Sequence, residues 1–249
     1  MHAFSTRLGG LSKPPYASLN LGLGSGDDRA LVQSNRARFA RSTGINPYDL
    51  VILRQVHSNR VIVLTEATDP ELIRGEPGDG LVTNRPDLPL GVITADCFPV
   101  VLAAPRLPAV GIVHAGRKGT GAGVVSTAVA LMSQVFDASP EALFAAIGPG
   151  IGRCCYEVDE ASAEPFESQF TLNDAVYFPS RPGHLYLDLQ QAIVQQLRQA
   201  GVPPSHIWHA DLCTACHPHW FYSYRQDGPR SGRMLNIVMI QSNVASTSV

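Results

Sequence analysis

Apolar residues along this chain fall mostly in short runs of strand length, and only three stretches carry a helical repeat. The runs "LVILRQVH", "RVIVLT", "DGLVTN", "LGVITA", "FPVVLAA" and "AVGIVHA" are rich in Val and Ile. Pro, Gly, Asn or Asp separates them, the signature of strands joined by turns. "ALFAAIGPG" predicts a further strand ending in a Gly-Pro turn, and "HIWHAD", "FYSYR" and "LNIVMIQ" predict the last three. The first helix is expected after a cap at Asp27 or Asp28, carries Leu31 and Phe39, and stops at Gly44. A Gly-rich turn, "GRKGTGAG", opens the second, with Val124, Ala128, Leu131 and Val135 at helical spacing. The third spans 188–200, capped by Asp188, with Leu189, Ile193 and Leu197 before Gly201. The opening "FSTRLGGLSKPPYASLNLGLGSGDD" has no helical period and reads as a loop or irregular strand.

Strands outnumber helices and do not alternate strictly with them, so a parallel sheet built of repeated strand–helix units is not expected. The pattern predicts one α+β (mixed α/β) domain over residues 1–241, a mixed β-sheet core flanked by helices. The polar tail 242–249, "SNVASTSV", is expected to be disordered.

Composition narrows the class of function. A hydrophobic fraction of 45% supports a real core, and a charged fraction of 16% is low for a polyelectrolyte binder. A formal net charge of -2 gives no electrostatic case for nucleic acid or an anionic membrane as partner. "MHAFSTRLGG" has no apolar h-region, and no apolar run approaches the roughly 18 residues of a membrane span. The expectation is a soluble, cytoplasmic protein whose five cysteines are buried small hydrophobes or functional thiols rather than a disulfide framework.

Three chemistry-bearing residues end strand-like runs: His57 after "LRQV", Cys97 after "VITAD" and His114 after "VGIV". Two imidazoles and a thiolate suit zinc, and three protein ligands leave a fourth position for water or substrate. The same residues also read as two hydrogen-bonded histidines and a core cysteine, and spacing alone leaves both readings open. Asp96 either orients a ligand and takes protons as a catalytic group beside Cys97, or caps a turn through the backbone amides at Phe98. "HAGRKGTGAG" offers backbone N–H groups and two cations, Arg117 and Lys118, to an anion, or is a turn with solvated basic residues. Arg225 in "FYSYRQDG" either holds a phosphate or carboxylate or lies at the surface. "CTACH" at 213–217 matches the c-type haem pattern, but attachment normally needs export. A structural zinc at Cys213, Cys216 and His217 lacks a fourth ligand in the sequence, and Cys154 and Cys155 read as structural. No GxSxG elbow, HExxH or HxE…PCxxC pattern is present.

In order along the chain stand "FSTRLGG", "YASLNLG", "QVHS", "TADCFPVVL", "VHAGRKG", "IGPGIGRCCYEV" and "FYSYRQDG". This series resembles the multicopper-polyphenol-oxidase-like or laccase-domain family, also called the YfiH-type or peptidoglycan editing factor family. The resemblance implies a YfiH-like α/β domain that binds zinc, with copper also proposed, through His57, Cys97 and His114. It implies purine nucleoside phosphorylase activity, with adenosine deaminase and methylthioadenosine phosphorylase activities in the same site. The small-molecule partners would be adenosine, inosine, guanosine, methylthioadenosine and phosphate. Two departures are visible: Arg117-Lys118 stands where the family reads Trp-Arg, and Gln226 replaces the second arginine of "SYRRD".

Phosphorolysis needs an anion site, for which Arg54, Arg225 and the Gly-rich turn are the candidates, and Gln55 is a candidate ligand contact. Three other readings remain: a cysteine hydrolase of cell-wall precursor peptides, with Cys97 as nucleophile and His114 as base, a copper phenol oxidase, and a non-enzymatic binding module using the same pocket. The oxidase needs many histidines, and the chain has eight.

Overall fold

The computed structural model describes residues 1–171 and 174–242. Except for Ser242, the tail expected to be disordered lies outside the described residues. The elements follow the order β1 (His2–Phe4), α1 (Arg29–Thr43), β2 (Val51–Ile52), β3 (Val61–Leu64), α2 (Pro70–Ile73), β4 (Gly80–Thr83) and β5 (Leu90–Thr94). Next come β6 (Phe98–Ala104), β7 (Ala109–Ala115), α3 (Arg117–Gly121), α4 (Val124–Phe136), β8 (Phe144–Ile147), β9 (Glu157–Asp159) and α5 (Glu160–Glu167). The chain continues with β10 (Tyr177–Pro179), β11 (His184–Leu187), α6 (Leu189–Gln199), β12 (Ile207–His209), α7 (Tyr224–Asp227) and β13 (Met234–Val238).

The strands form two main sheets and one small one. The six-stranded sheet runs β12-β8-β6-β7-β4-β3, the four-stranded one β1-β13-β5-β2, and β10-β11-β9 make the third. Both large sheets are mixed: β6 and β7 pair antiparallel, while β3 with β4 and β2 with β5 pair parallel.

Side-chain alternation assigns the layers. Along β6, Val100 and Leu102 join the core under α4 and α6, while Val101 joins a second core with Leu81, Leu90, Val92 and Ile112 between the sheets. Leu235 and Ile237 of β13 face outward onto Phe39 and Ala40 of α1. The layers are therefore helix, sheet, sheet, helix. This explains why β7 is buried at every position and reads as a continuous apolar run.

Caps placed the helices where the sequence predicts them. Asp28 accepts from Ala30 and Leu31 at the start of α1, Gly44 closes it at φ 71°, and Asp188 accepts from Gln191 at the start of α6. The Gly-rich turn differs from expectation: Gly123, at φ 78°, divides it into α3 and α4.

Two expected strands are also revised. "LVILRQVH" enters the ladder only at Val51–Ile52, because the amides of Val56, His57 and Ser58 turn to the Asp79 carboxylate instead. "FYSYR" is not a strand: Ser223 caps α7 by accepting from Gln226, and Arg225 is helical.

Candidate metal centre

The chain crosses between the two large sheets twice near one another. Residues 53–60 pass from β2 to β3, and residues 95–97 pass from β5 to β6. Both crossings are sharp. His57 has φ 58° and Asp96 has φ 85°, left-handed conformations that cost non-glycine residues energy and need a compensating contact. The second crossing brings Cys97 to the end of β6, opposite the end of β7, where Phe98 pairs with Ala115 and Pro99 with His114.

Three elements thus bring His57, Cys97 and His114 together, and one donor atom from each lies within 4.8 Å of the others. The two imidazole rings meet edge to face with centroids 4.9 Å apart. Gly116 makes room for this approach: a Cβ there would lie 2.8 Å from both Cys97 Sγ and His57 Nδ1. Gly116→Ala should therefore leave the sheets intact and lower metal affinity at least ~10-fold, as read by titration against a chelator. Affinity equal to the wild type would show that the three donors tolerate displacement.

The carboxylate that organises this cluster is Asp79, which the sequence reading missed. It is fully buried, one residue before β4. It meets His114 Nδ1 at 2.9 Å and accepts from the backbone of Val56, His57 and Ser58 and from the Ser58 hydroxyl. Burial opposes its charge, but the hydrogen bonds from His114 and Ser58 outweigh that and hold the carboxyl at about 2. With Nδ1 engaged, His114 presents Nε2 to Cys97 and His57. A carboxylate behind a histidine is the usual partner of a metal ligand, and the residues fit a metal ion on donor chemistry alone.

As a protein-only cluster the same groups favour a thiolate–imidazolium pair. Burial works against both charges. The His114 charge and hydrogen bonds from both imidazoles nevertheless bring Cys97 down to about 6. The Cys97 thiolate and Asp79 bring His114 up to about 9. An electron-rich sulfur flanked by two nitrogens is what a borderline-soft cation requires.

Asp96 does not cap Phe98, which is the first residue of β6 rather than a turn. Its carboxylate accepts from the Thr214 hydroxyl and from the Arg225 amide, both at 2.6 Å, and so braces α7 and the 213–216 loop beside Cys97. The Gln55 amide pairs at both ends with the backbone of Ile93, at 2.8 and 2.7 Å, holding the His57 loop to β5.

The three donors border a cavity of about 880 Å³. Arg54 and Arg225, the anion-site candidates of the sequence, are among its lining residues, with Arg233, Tyr156 and Tyr224, which the sequence reading did not single out. Arg233 is tied to the Ser231 and Gly232 carbonyls, and Arg225 lies over the Tyr156 ring at 5.2 Å. Tyr156 and Tyr224 stand inside "IGPGIGRCCYEV" and "FYSYRQDG", but as single aromatics that nothing in those segments marks as cavity lining. The Gly-rich turn plays another part. Gly119 lets Ser58 O approach, and Arg117 donates to the Ser162 carbonyl rather than lining the cavity.

Known proteins are similar to this chain over nearly its whole length. A purine nucleoside phosphorylase, YlmD, of Geobacillus stearothermophilus is 38% identical over 94% of this chain and 88% of its own. A purine nucleoside phosphorylase of Deinococcus radiodurans is 39% identical over 95% of this chain and 88% of its own. The crystal structure of the hypothetical protein YfiH of Bacillus licheniformis superposes with a TM-score of 0.91, at 33% identity, over 96% of this chain and 92% of that one. The profile of one family covers residues 1–241, and with it the sheet crossings, all three donors and Asp79. The chain belongs to the multi-copper polyphenol oxidoreductase laccase family.

Proposed function

We propose that the protein is a metal-dependent purine nucleoside phosphorylase acting on adenosine, inosine, guanosine and methylthioadenosine, and that the same site deaminates adenosine. The observation that carries this reading is the position of His57, Cys97 and His114 at a cavity that also holds three arginines and two tyrosines. The names of the relatives support its phosphorylase part. Zinc is the metal that the donor set favours, with copper as the other candidate. A cytoplasmic location is part of this reading, and no helix among the described residues is long and apolar enough to cross a membrane.

Phosphorolysis forms a C–O bond at ribose C1′ and breaks the glycosidic C–N bond, whose electron pair leaves with the base. Two requirements follow for the chain: a cationic place for phosphate and a flat face for the purine. Arg54, Arg225 and Arg233 supply the first, through planar guanidinium groups suited to oxyanions. Tyr156 and Tyr224 supply the second. Asp96 serves as a positioning residue, because its contacts hold α7 and therefore Arg225 and Tyr224. Cys97 and the two histidines would hold a metal ion, which would supply an activated water for deamination.

The test is a product assay of all four nucleosides with and without phosphate. Metal-loaded protein should release free base only with phosphate present, and inosine from adenosine without it. No product from any of the four would refute the reading. Arg54→Ala and Arg225→Ala should each raise the KM for phosphate about 10-fold with a smaller change in the KM for nucleoside. An unchanged phosphate KM in both would remove these arginines from the anion site.

One observation favours a second reading. Asp79, His114 and Cys97 form a carboxylate–imidazole–thiolate series, so a cysteine hydrolase with Cys97 as nucleophile and His114 as base needs Asp79, not Asp96, as orienter. His57 counts against it, since a nucleophile gains nothing from a second nitrogen on its sulfur. Chelation separates the readings: a hydrolase keeps its activity, and the proposed phosphorylase loses it. A multicopper laccase centre needs more histidines than the two of the His57–Cys97–His114 group, and the second donor group among the described residues has none. The His217–Pro218–His219 run lies elsewhere, with His217 bonded to the Cys213 carbonyl and stacked on Trp220.

A further inference from the structure

The CxxC motif at Cys213 and Cys216 lacked partners in the sequence, and the fold supplies them. Cys154 and Cys155 approach from the other side of a loop pair, and all four sulfurs lie within 4.8 Å of one another. Cys216 Sγ is 3.4 Å from both Cys154 Sγ and Cys155 Sγ, and none of the four is in a disulfide.

The backbone builds this cluster. Gly150 and Cys213 form an isolated parallel bridge, Thr214 donates to the Gly150 carbonyl at 2.9 Å, and the 152–155 turn closes from Cys155 to Gly152 at 3.0 Å. At Gly152 a Cβ would lie 3.1 Å from Cys213 Cβ and 3.3 Å from Cys154 Sγ, so this position keeps the two loops close.

We propose that Cys154, Cys155, Cys213 and Cys216 form a second metal site, a closed four-thiolate zinc centre with a structural role. Zinc–sulfur bonds of about 2.3 Å in a tetrahedron set the sulfurs about 3.8 Å apart, a spacing these side chains reach by small rotations. The donor set differs in kind from that of the cavity. Four sulfurs saturate zinc and leave no position for substrate, whereas two nitrogens and one sulfur leave one open.

The location gives the centre its task. The loop with Cys154 and Cys155 also carries Ile151 and Tyr156, both lining the cavity. The loop with Cys213 and Cys216 carries Thr214, whose hydroxyl holds Asp96 next to Cys97. Four metal bonds would tie one cavity wall to the other through residues that touch no substrate.

The experiment is elemental analysis of the full chain, purified under reducing conditions and quantified by amino-acid analysis. Wild type should carry two metal equivalents per chain. Cys97→Ser should keep one of them, as should the doubly substituted C154S/C216S. Cobalt(II) loading of the wild type gives a readout that needs no variant: a tetrathiolate site adds sulfur-to-cobalt charge-transfer absorption several times as intense as the single thiolate of the cavity site can give. In metal-loaded wild type these four cysteines should also resist alkylation, mapped by mass spectrometry. A single equivalent that Cys97→Ser abolishes, two disulfides among the four, or free alkylation of all four in metal-loaded protein would each overturn the proposal. Phosphorylase activity enters none of these readouts, so loss of that reading and loss of this one are separable.

Discussion

On the proposed function, Cys97→Ser should abolish metal binding in the cavity and bring the proposed phosphorolysis and deamination down together, by well over the ~100-fold that loss of an outer-shell partner costs. The reason lies in the donor set. Serine keeps the shape of the side chain and, at neutral pH, offers a protonated hydroxyl where the cysteine offers a thiolate. The imidazoles of His57 and His114 remain in place, so the fold should persist. Thermal unfolding close to that of the wild type, with one equivalent of metal missing, is the expected pattern. Retention of either activity in a metal-depleted Cys97→Ser protein would mean that the chemistry uses neither the sulfur nor the metal it holds.

Asp79→Asn should have the largest effect on both stability and metal affinity of any residue that does not itself hold the ion. In the wild type two buried oxygens accept three backbone amides, the Ser58 hydroxyl and the His114 ring. An asparagine amide turns one acceptor into a donor, so an N–H group must face either a backbone N–H or the Nδ1–H of His114. A buried donor facing a donor costs about 1–3 kcal/mol, and losing the charge in a buried charged network takes the total toward about 3–5 kcal/mol. Metal affinity should fall about 10–100-fold, because His114 loses the partner that fixes its ring. Urea unfolding of the metal-free protein measures the first effect and chelator competition the second. Unchanged stability would mean that the left-handed turn at His57 is held by something other than this carboxylate.

The two substitutions separate functions that sit a few ångströms apart. Cys97→Ser acts on the ion and spares the frame, while Asp79→Asn acts on the frame and reaches the ion through His114. Gly116→Ala lies between them, changing no donor and only the space in which two donors meet.

Local rules made much of this protein readable in advance. The helix ends at Asp28, Gly44 and Asp188 depend on hydrogen bonds within a few residues, and the cores of β5, β6 and β7 depend on apolar runs that nothing else explains. His57, Cys97 and His114 stood out because each interrupts or ends such a run with a group that can bind a metal. The elements from β9 to β11 gave no such signal. Their apolar residues, Val158, Phe166, Val176 and Leu187, are sparse and become core only because the α4 and α6 layer lies against them.

Asp79 is the clearest limit. Read in sequence it is one acidic residue in "EPGDGLV", the normal composition of a turn. Its partners lie 21, 22, 23 and 35 residues away and meet it only because the chain crosses between sheets at residues 53–60. Asp96 likewise depends on Thr214 and Arg225, 118 and 129 residues distant. The four cysteines follow the same rule, since Cys216 meets Cys154 and Cys155, 62 and 61 residues away, in one cluster joined through a bridge at Gly150. Periodicity and capping are short-range effects and leave their record in neighbouring residues. Charge satisfaction and donor convergence are long-range, and they took form here only when two sheets packed and the chain had to pass between them.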